Sequence, residues 1–241
     1  MEPMDALKKP GIMAKLRNSK GFSLIEMAIV LVIIGIIIAA IVKGQDLMVN
    51  ARAKQIVTTT NAWKTAMFAY MDRNGRFPGD NDKSGAIGDG VTEQATPLTA
   101  IEELATTLSA VPANPIIVGG QSYWMYPGYS LGISNPADKI NVLVICKNSD
   151  CSLVLSPDDI ELIKAVDTAI DNISDWGTGS FRGLNADSKG LLTTPVLASA
   201  AGGRDVAVVK DIHTTVQNVS GPWPPTGAGC YGAVWAFDKR W

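Results

Sequence analysis

Four groups of side chains in this sequence carry functionality for chemistry. Asp80, Asp82 and Ser84, followed by Gly85 and Ile87, place oxygen donors at alternate positions around a glycine turn. That is the first half of an EF-hand-type calcium loop. The second half departs from the pattern, because Val91 stands where the bidentate Glu belongs and the substitutes Asp89 and Glu93 are out of register. Asp, Asn, Ser and Gly also build any exposed turn, so a Ca2+ site and a plain loop are the two readings of this stretch. The second group, Asp167, Asp171 and Asp175, recurs every four residues and so shares a helical face. Paired carboxylates do acid–base work, but a solvated helix face has the same spacing.

The third group is the cysteines. Asn141–Cys146 and Cys151–Leu155 read as two strands joined by Lys147-Asn148-Ser149-Asp150, a hairpin in which Cys146 and Cys151 face each other at disulfide distance. Cys230 is then the thiol left over; the alternative pairs Cys230 with one of the other two. The only histidine, His213, has no Cys or carboxylate cluster at ligand spacing beside it, which argues against a transition-metal site. There is no G-x-S-x-G elbow, P-loop or H-E-x-x-H, and no catalytic residue is assigned: the chain reads as a non-enzyme. The fourth group is a single residue, Glu26, the one charge in an apolar run from Phe22 to Val42.

That run is the element on which the rest is organised. As a helix at ~1.5 Å per residue it extends ~31 Å, close to the hydrocarbon thickness of a bilayer. Lys8, Lys9, Lys15, Arg17 and Lys20 precede it, which places the N-terminus in the cytoplasm and the remainder of the chain outside. Lys43-Gly44-Gln45-Asp46 follows it with no small-residue cleavage site, unlike a secretory signal. A carboxylate inside a spanning segment costs about 3 kcal/mol and normally has a partner. No Arg, Lys or His lies between Gly21 and Lys43, so the helix is expected to offer Glu26 no partner of its own. A neighbouring copy is then the source. A carboxyl near the helix end that is protonated or snorkels to the head groups is the alternative.

The junction Gly21-Phe22-Ser23-Leu24-Ile25-Glu26 resembles the prepilin peptidase site of type IV pilins and type II secretion pseudopilins. The likeness continues through Val42-Lys43-Gly44-Gln45-Asp46-Leu47, Asn50-Ala51-Arg52 and the Phe77-Pro78-Gly79-Asp80 turn, and is thin beyond Asp80. It implies that residues 1–21 are a leader removed by cleavage between Gly21 and Phe22, that Phe22 becomes the N-methylated first residue, and that the apolar helix stays in the mature protein. The new amine at Phe22 would then answer a stacked subunit's Glu26. Many pilins carry a helix-kinking Pro where this chain has Lys43. Many also staple the C-terminal strand with a disulfide, which here would use Cys230.

Behind the membrane segment the helix is expected to run to about Asn74. Val49, Ala53, Ile56, Thr60, Trp63, Met67 and Tyr70 alternate at spacings of four and three and form one buried stripe. Trp63 and Tyr70 read as core on that spacing, with a ligand platform as the other reading. Gly75 and Phe77-Pro78-Gly79 end the helix. Later expectations are a short helix from Thr99 to Ser109, strands at Ser122–Tyr126, Arg204–Lys210 and His213–Val219, and a helix capped by Ser156 with Pro157 in its first turn. A last strand, Tyr231–Phe237, closes the sheet. Trp223, Trp235 and Trp241 are either packing residues or an adhesive patch.

The fold class expected is therefore α+β, a long N-terminal helix (22–74) packed on an antiparallel β-sheet head (75–241). A net charge of −2 argues against a general nucleic-acid surface. By resemblance the chain is a structural subunit of a type IV pilus-like filament. It would be made in the inner membrane with its head in the periplasm and then built into a surface fibre. Its partners would be copies of itself, the prepilin peptidase, an inner-membrane assembly platform and minor pilins. A type II secretion pseudopilin in a periplasmic pseudopilus, or a tip-located minor pilin acting as a binding module, are the alternatives.

Overall fold

An apolar run continuous with an amphipathic stripe makes one long helix, and the computed structural model has it as α1, Leu24–Asn74. The structure describes residues 21–80, 82–87, 103–105, 107–109, 111–131, 139–149, 151–184, 221–223 and 229–238. The chain divides into two units, Met1–Gln45 and Asp46–Trp241. In the first, the large apolar side chains of Phe22 to Val42 are exposed around the whole circumference of the helix. Among the described residues α1 is the one helix long and apolar enough to cross a membrane. The helix is unbroken at Lys43, where a Pro would have removed a backbone donor.

In the second unit α1 buries one stripe only: Ala53, Ile56, Thr60, Trp63, Ala66, Met67 and Tyr70. This is the expected stripe with Ala66 added and Val49 half-buried at its upper end. Trp63 and Tyr70 are core residues, as their spacing implied. The helix stops at Gly75, whose φ of 69° is cheap only for glycine, with its N–H donating to the Met71 carbonyl at 2.7 Å. Glu103 then fixes the turn that follows. Its carboxylate takes both Arg76 Nη atoms (2.9 and 3.0 Å), the Tyr70 hydroxyl (2.9 Å) and the Gly79 N–H (3.0 Å). Residues 103–105 are helical, within the helix expected at Thr99–Ser109; much of the remainder of that span lies outside the described residues.

The sheet comprises β1 (Ile116–Val118), β2 (Gln121–Leu131), β3 (Lys139–Cys146), β4 (Phe181–Leu184) and β5 (Gly232–Ala236). Its spatial order is β1-β2-β3-β5-β4, and every pair is antiparallel. Residues alternate between the faces as the pleat requires. Tyr123, Met125, Leu143, Ile145, Phe181, Ala233 and Trp235 point to the core shared with α1 and with α2 (Pro157–Asp171), while Tyr126, Val142, Val144, Cys146 and Val234 form a second cluster. The near-continuous apolar run of β3 reflects burial on both faces. Ser156 caps α2 reciprocally with Asp159, and Pro157 follows in the first turn.

Three strand expectations need correction. β2 runs past Tyr126 to Leu131, through Pro127 and Gly128, since β1 pairs only as far as Tyr123 and a proline there breaks no bond to it. Of the strand expected at Tyr231–Phe237, Gly232–Ala236 forms β5, but it lies inside the sheet, and β4 forms the edge beside it. Cys151–Leu155 is not a strand. Cys146 already has Trp124 on one side and Gly232 on the other, so no place is left for a hairpin partner, and Cys151 takes a positive φ of 53°. The bridge forms all the same, between Cys146 and Cys151 with Cα atoms 5.2 Å apart. Cys230 is a buried free thiol, and burial pushes it up to about 12. Trp223 and Trp235 are core residues rather than an adhesive patch. Trp241 and the strands expected at Arg204–Lys210 and His213–Val219 lie outside the described residues.

Two predictions follow from this arrangement. Ile56→Ala should destabilise the head by about 2–4 kcal/mol in denaturant titrations of the detergent-solubilised chain, because Ile56 is fully buried, whereas Ile33→Ala should change it by under ~0.5 kcal/mol. Equal effects would contradict the division of α1 into an exposed and a one-sided half. Peptide mapping without reductant should recover Cys146 linked to Cys151, and alkylation of Cys230 should require unfolding.

Candidate functional site

The junction at the start of α1 is built from very few atoms. Gly21 to Ser23 are non-helical and exposed, and α1 starts at the next residue. Ser23 is its cap: Ser23 Oγ accepts from the Glu26 N–H at 3.2 Å, and Glu26 Oε2 accepts from the Ser23 N–H at 2.8 Å. The Ser23 carbonyl accepts from the Met27 N–H at 3.2 Å. This reciprocal box satisfies amides that a helix start otherwise leaves open, and it sets a carboxylate at the positive end of the helix dipole. The expectation that the helix offers Glu26 no partner is therefore corrected: its own Ser23 amide is one. The S-x-x-E spacing ahead of an apolar run was the signal for it. An amide donor reduces the cost of a carboxylate in a dry setting without cancelling its charge, so a cation from elsewhere still has a role.

At the opposite end of α1, Phe77-Pro78-Gly79-Asp80 leads into the acidic loop. Asp80 is buried, with Oδ1 accepting from the Ser84 N–H (2.9 Å) and Oδ2 from the Gly85 N–H (3.0 Å). Asp82 Oδ1 accepts from the same Ser84 N–H at 2.9 Å, and the bonds from Ser84 hold its carboxyl below the usual range. Asn141 on β3 docks the loop, accepting from the Ile87 N–H (2.9 Å) and donating to the Gly85 carbonyl (2.8 Å) and to Asp238 (2.7 Å). Asp80, Asp82 and Ser84 thus come together around the loop's own amides, and Asp89 lies outside the described residues. Among the described residues no three His, Cys, Asp or Glu side chains gather as metal ligands.

Asp167, Asp171 and Asp175 do not share one solvated helix face, since α2 ends at Asp171 and Asp175 lies beyond it. Asp167 is buried and accepts through Oδ2 from the Trp223 indole N–H (2.9 Å) and the Asp175 N–H (2.8 Å). Asp171 accepts from the Ser180 hydroxyl and from the Phe181 N–H (2.7 Å). Asp175 accepts from the Gly177 N–H and the Gly221 N–H, both at 3.0 Å. The three carboxylates organise the turn from α2 into β4 and fasten residues 221–223 to it. Their four-residue spacing was legible, but their donors sit up to 56 residues away in sequence.

One polar group went unassigned by the sequence reading. Asp159, in the first turn of α2, takes the Tyr123 hydroxyl and the Lys147 ammonium. Burial raises its carboxyl, but the bonds from Lys147, Ser156 and Tyr123 outweigh that and hold it below the usual range. Burial and the bond to Asp159 raise the Tyr123 hydroxyl. This network joins β2, the residue following β3 and the start of α2.

Residues 16–42 match the model of the prokaryotic N-terminal methylation motif. The chain is also 36% identical over 67 residues to a fimbrial protein of Neisseria meningitidis serogroup B (strain ATCC BAA-335 / MC58), a match covering 27% of this chain and 39% of that protein. The chain thus spans about two fifths of the relative's length. No solved structure matches it. The motif match spans the Gly21–Phe22 junction, and the likeness to the fimbrial protein extends over 67 residues of this chain.

Proposed function

We propose that this chain is the structural subunit of a type IV pilus-like filament. The prepilin peptidase cleaves between Gly21 and Phe22, the Phe22 amine is methylated, and copies polymerise through residues 22–42 of α1. The observation that carries this reading is the exposure of every large apolar side chain in that stretch. A surface apolar on all sides needs lipid before assembly and other helices after it. The matched methylation motif supports the processing step, and the fimbrial relative supports a fibre as the product. The partners are further copies of the chain, the peptidase, the assembly platform in the membrane and minor pilins.

Glu26 takes two roles in this scheme. Its Oε2 keeps the Ser23 amide, and the charge of the carboxylate attracts the cationic amine that cleavage creates at a neighbour's Phe22. Bringing two opposite charges together in a dry bundle favours one axial register over its alternatives, because an unmatched carboxylate there is costly. A calcium ion at Asp80, Asp82 and Ser84 has weaker support, since those oxygens already serve backbone amides of their own loop.

The test separates the cap from the charge. Glu26→Gln keeps an acceptor for the Ser23 amide and removes the charge; Glu26→Ala removes both. Both variants should still be cleaved at Gly21–Phe22, and filament yield by electron microscopy of sheared surface material should fall strongly in each. Normal filament yield from Glu26→Gln would overturn the role given to the charge.

A further inference from the structure

The carboxylates of α2 have a feature that their structural duties do not use. Asp167 is 1% exposed, yet only Oδ2 has partners; Oδ1 is buried and makes no hydrogen bond. Its neighbours carry the same sign of charge: Asp171, one turn further along α2, and Asp175, whose backbone N–H is itself one of the two donors to Oδ2. The cation nearest this group on β4, Arg182, donates from Nε to the Gly179 carbonyl and is drawn electrostatically to Asp171 and Asp175. From residues 221–223 the group facing Asp167 is the uncharged indole of Trp223.

We propose that Asp167 is a proton-controlled latch that fastens residues 221–223 to the turn between α2 and β4. A proton on Oδ1 leaves Oδ2 free to accept from Trp223 and from the Asp175 amide, so protonation breaks neither bond. Loss of that proton to solvent leaves a buried charge with one oxygen unbonded and two further carboxylates beside it. Burial and then those two carboxylates raise the Asp167 carboxyl to about 7, against the pull of the Trp223 and Asp175 bonds. The latch therefore titrates near neutrality.

What the latch holds is well defined. The Trp223 ring meets Trp176 edge-on at 5.2 Å and lies 6.2 Å from Phe181. Gly221 donates to Asp175, and its carbonyl accepts from the Trp176 N–H at 2.8 Å. Trp176 in turn accepts from the Gly183 N–H at 2.9 Å, with its ring so close that a Cβ on Gly183 would lie 2.3 Å from it. Loosening Asp167 thus loosens the packing along the outer strand β4.

The sign is fixed by linkage. The folded-state pKa lies above the unfolded value, so the group's stabilisation is complete below the unfolded pKa of about 4 and is lost as pH rises through about 7. In the full chain in detergent, protection of the Asp175 and Gly221 amides, corrected for intrinsic exchange, should fall by roughly a hundredfold between about pH 5 and pH 8.5. Asp167→Asn keeps an acceptor for Trp223 and should abolish that fall. A fall of equal size in Asp167→Asn would overturn the proposal. Should that variant not fold, Asp171→Asn decides: removing one repelling charge should move the wild-type midpoint to lower pH, and an unmoved midpoint would overturn the proposal.

Discussion

A helix that is apolar on every side for its first half and on one side only for its second half requires two different surroundings along one continuous element. The second half finds its surroundings within the molecule, where Ala53, Ile56, Trp63, Met67 and Tyr70 join the core built by one face of the sheet and by α2. In the first half the most apolar stretch is exposed among the described residues, and apolar surface of that extent is stabilised by removal from water. The half of the helix that stabilises the head is therefore distinct from the half that carries the exposed apolar surface.

The polar groups of the head act as fasteners between segments far apart in sequence. Glu103 joins the end of α1 to the turn after it. Asn141 and Asp238 hold the 82–87 loop against β3, and Asp159 links β2, the residue following β3 and the cap of α2. Each carboxylate meets several donors at once, the condition under which burying it is tolerable. Asp167 departs from that rule by keeping one bare oxygen, and that departure is what makes it responsive to protons.

How far the sequence revealed this depends on whether the governing contact was local. The stripe on α1 and the Ser156 cap of α2 are written in periodicity and spacing within a few residues, and each was legible, whereas burial of β3 on both faces depends on strands distant in sequence. The Ser23–Glu26 box is equally local, but its partner is a backbone amide, which a search for an opposite side-chain charge does not find. The position of β5 inside the sheet, the edge strand β4 and the donors to Asp167 and Asp171 depend on pairings between distant segments, which composition does not encode. Cys151–Leu155 has strand composition, but both edges of β3 near Cys146 are already occupied. The disulfide survived that error because it needs proximity of two residues, not a ladder.

The central claim is that α1 from Phe22 onward is retained after processing and joins the copies together. Intact-mass and N-terminal analysis of the subunit in sheared surface fibres measures this most directly. The account predicts a chain that begins at Phe22 with one added methyl group on its amine. A mature chain beginning downstream of Val42, or one still carrying residues 1–21 in cells with an active prepilin peptidase, would contradict it.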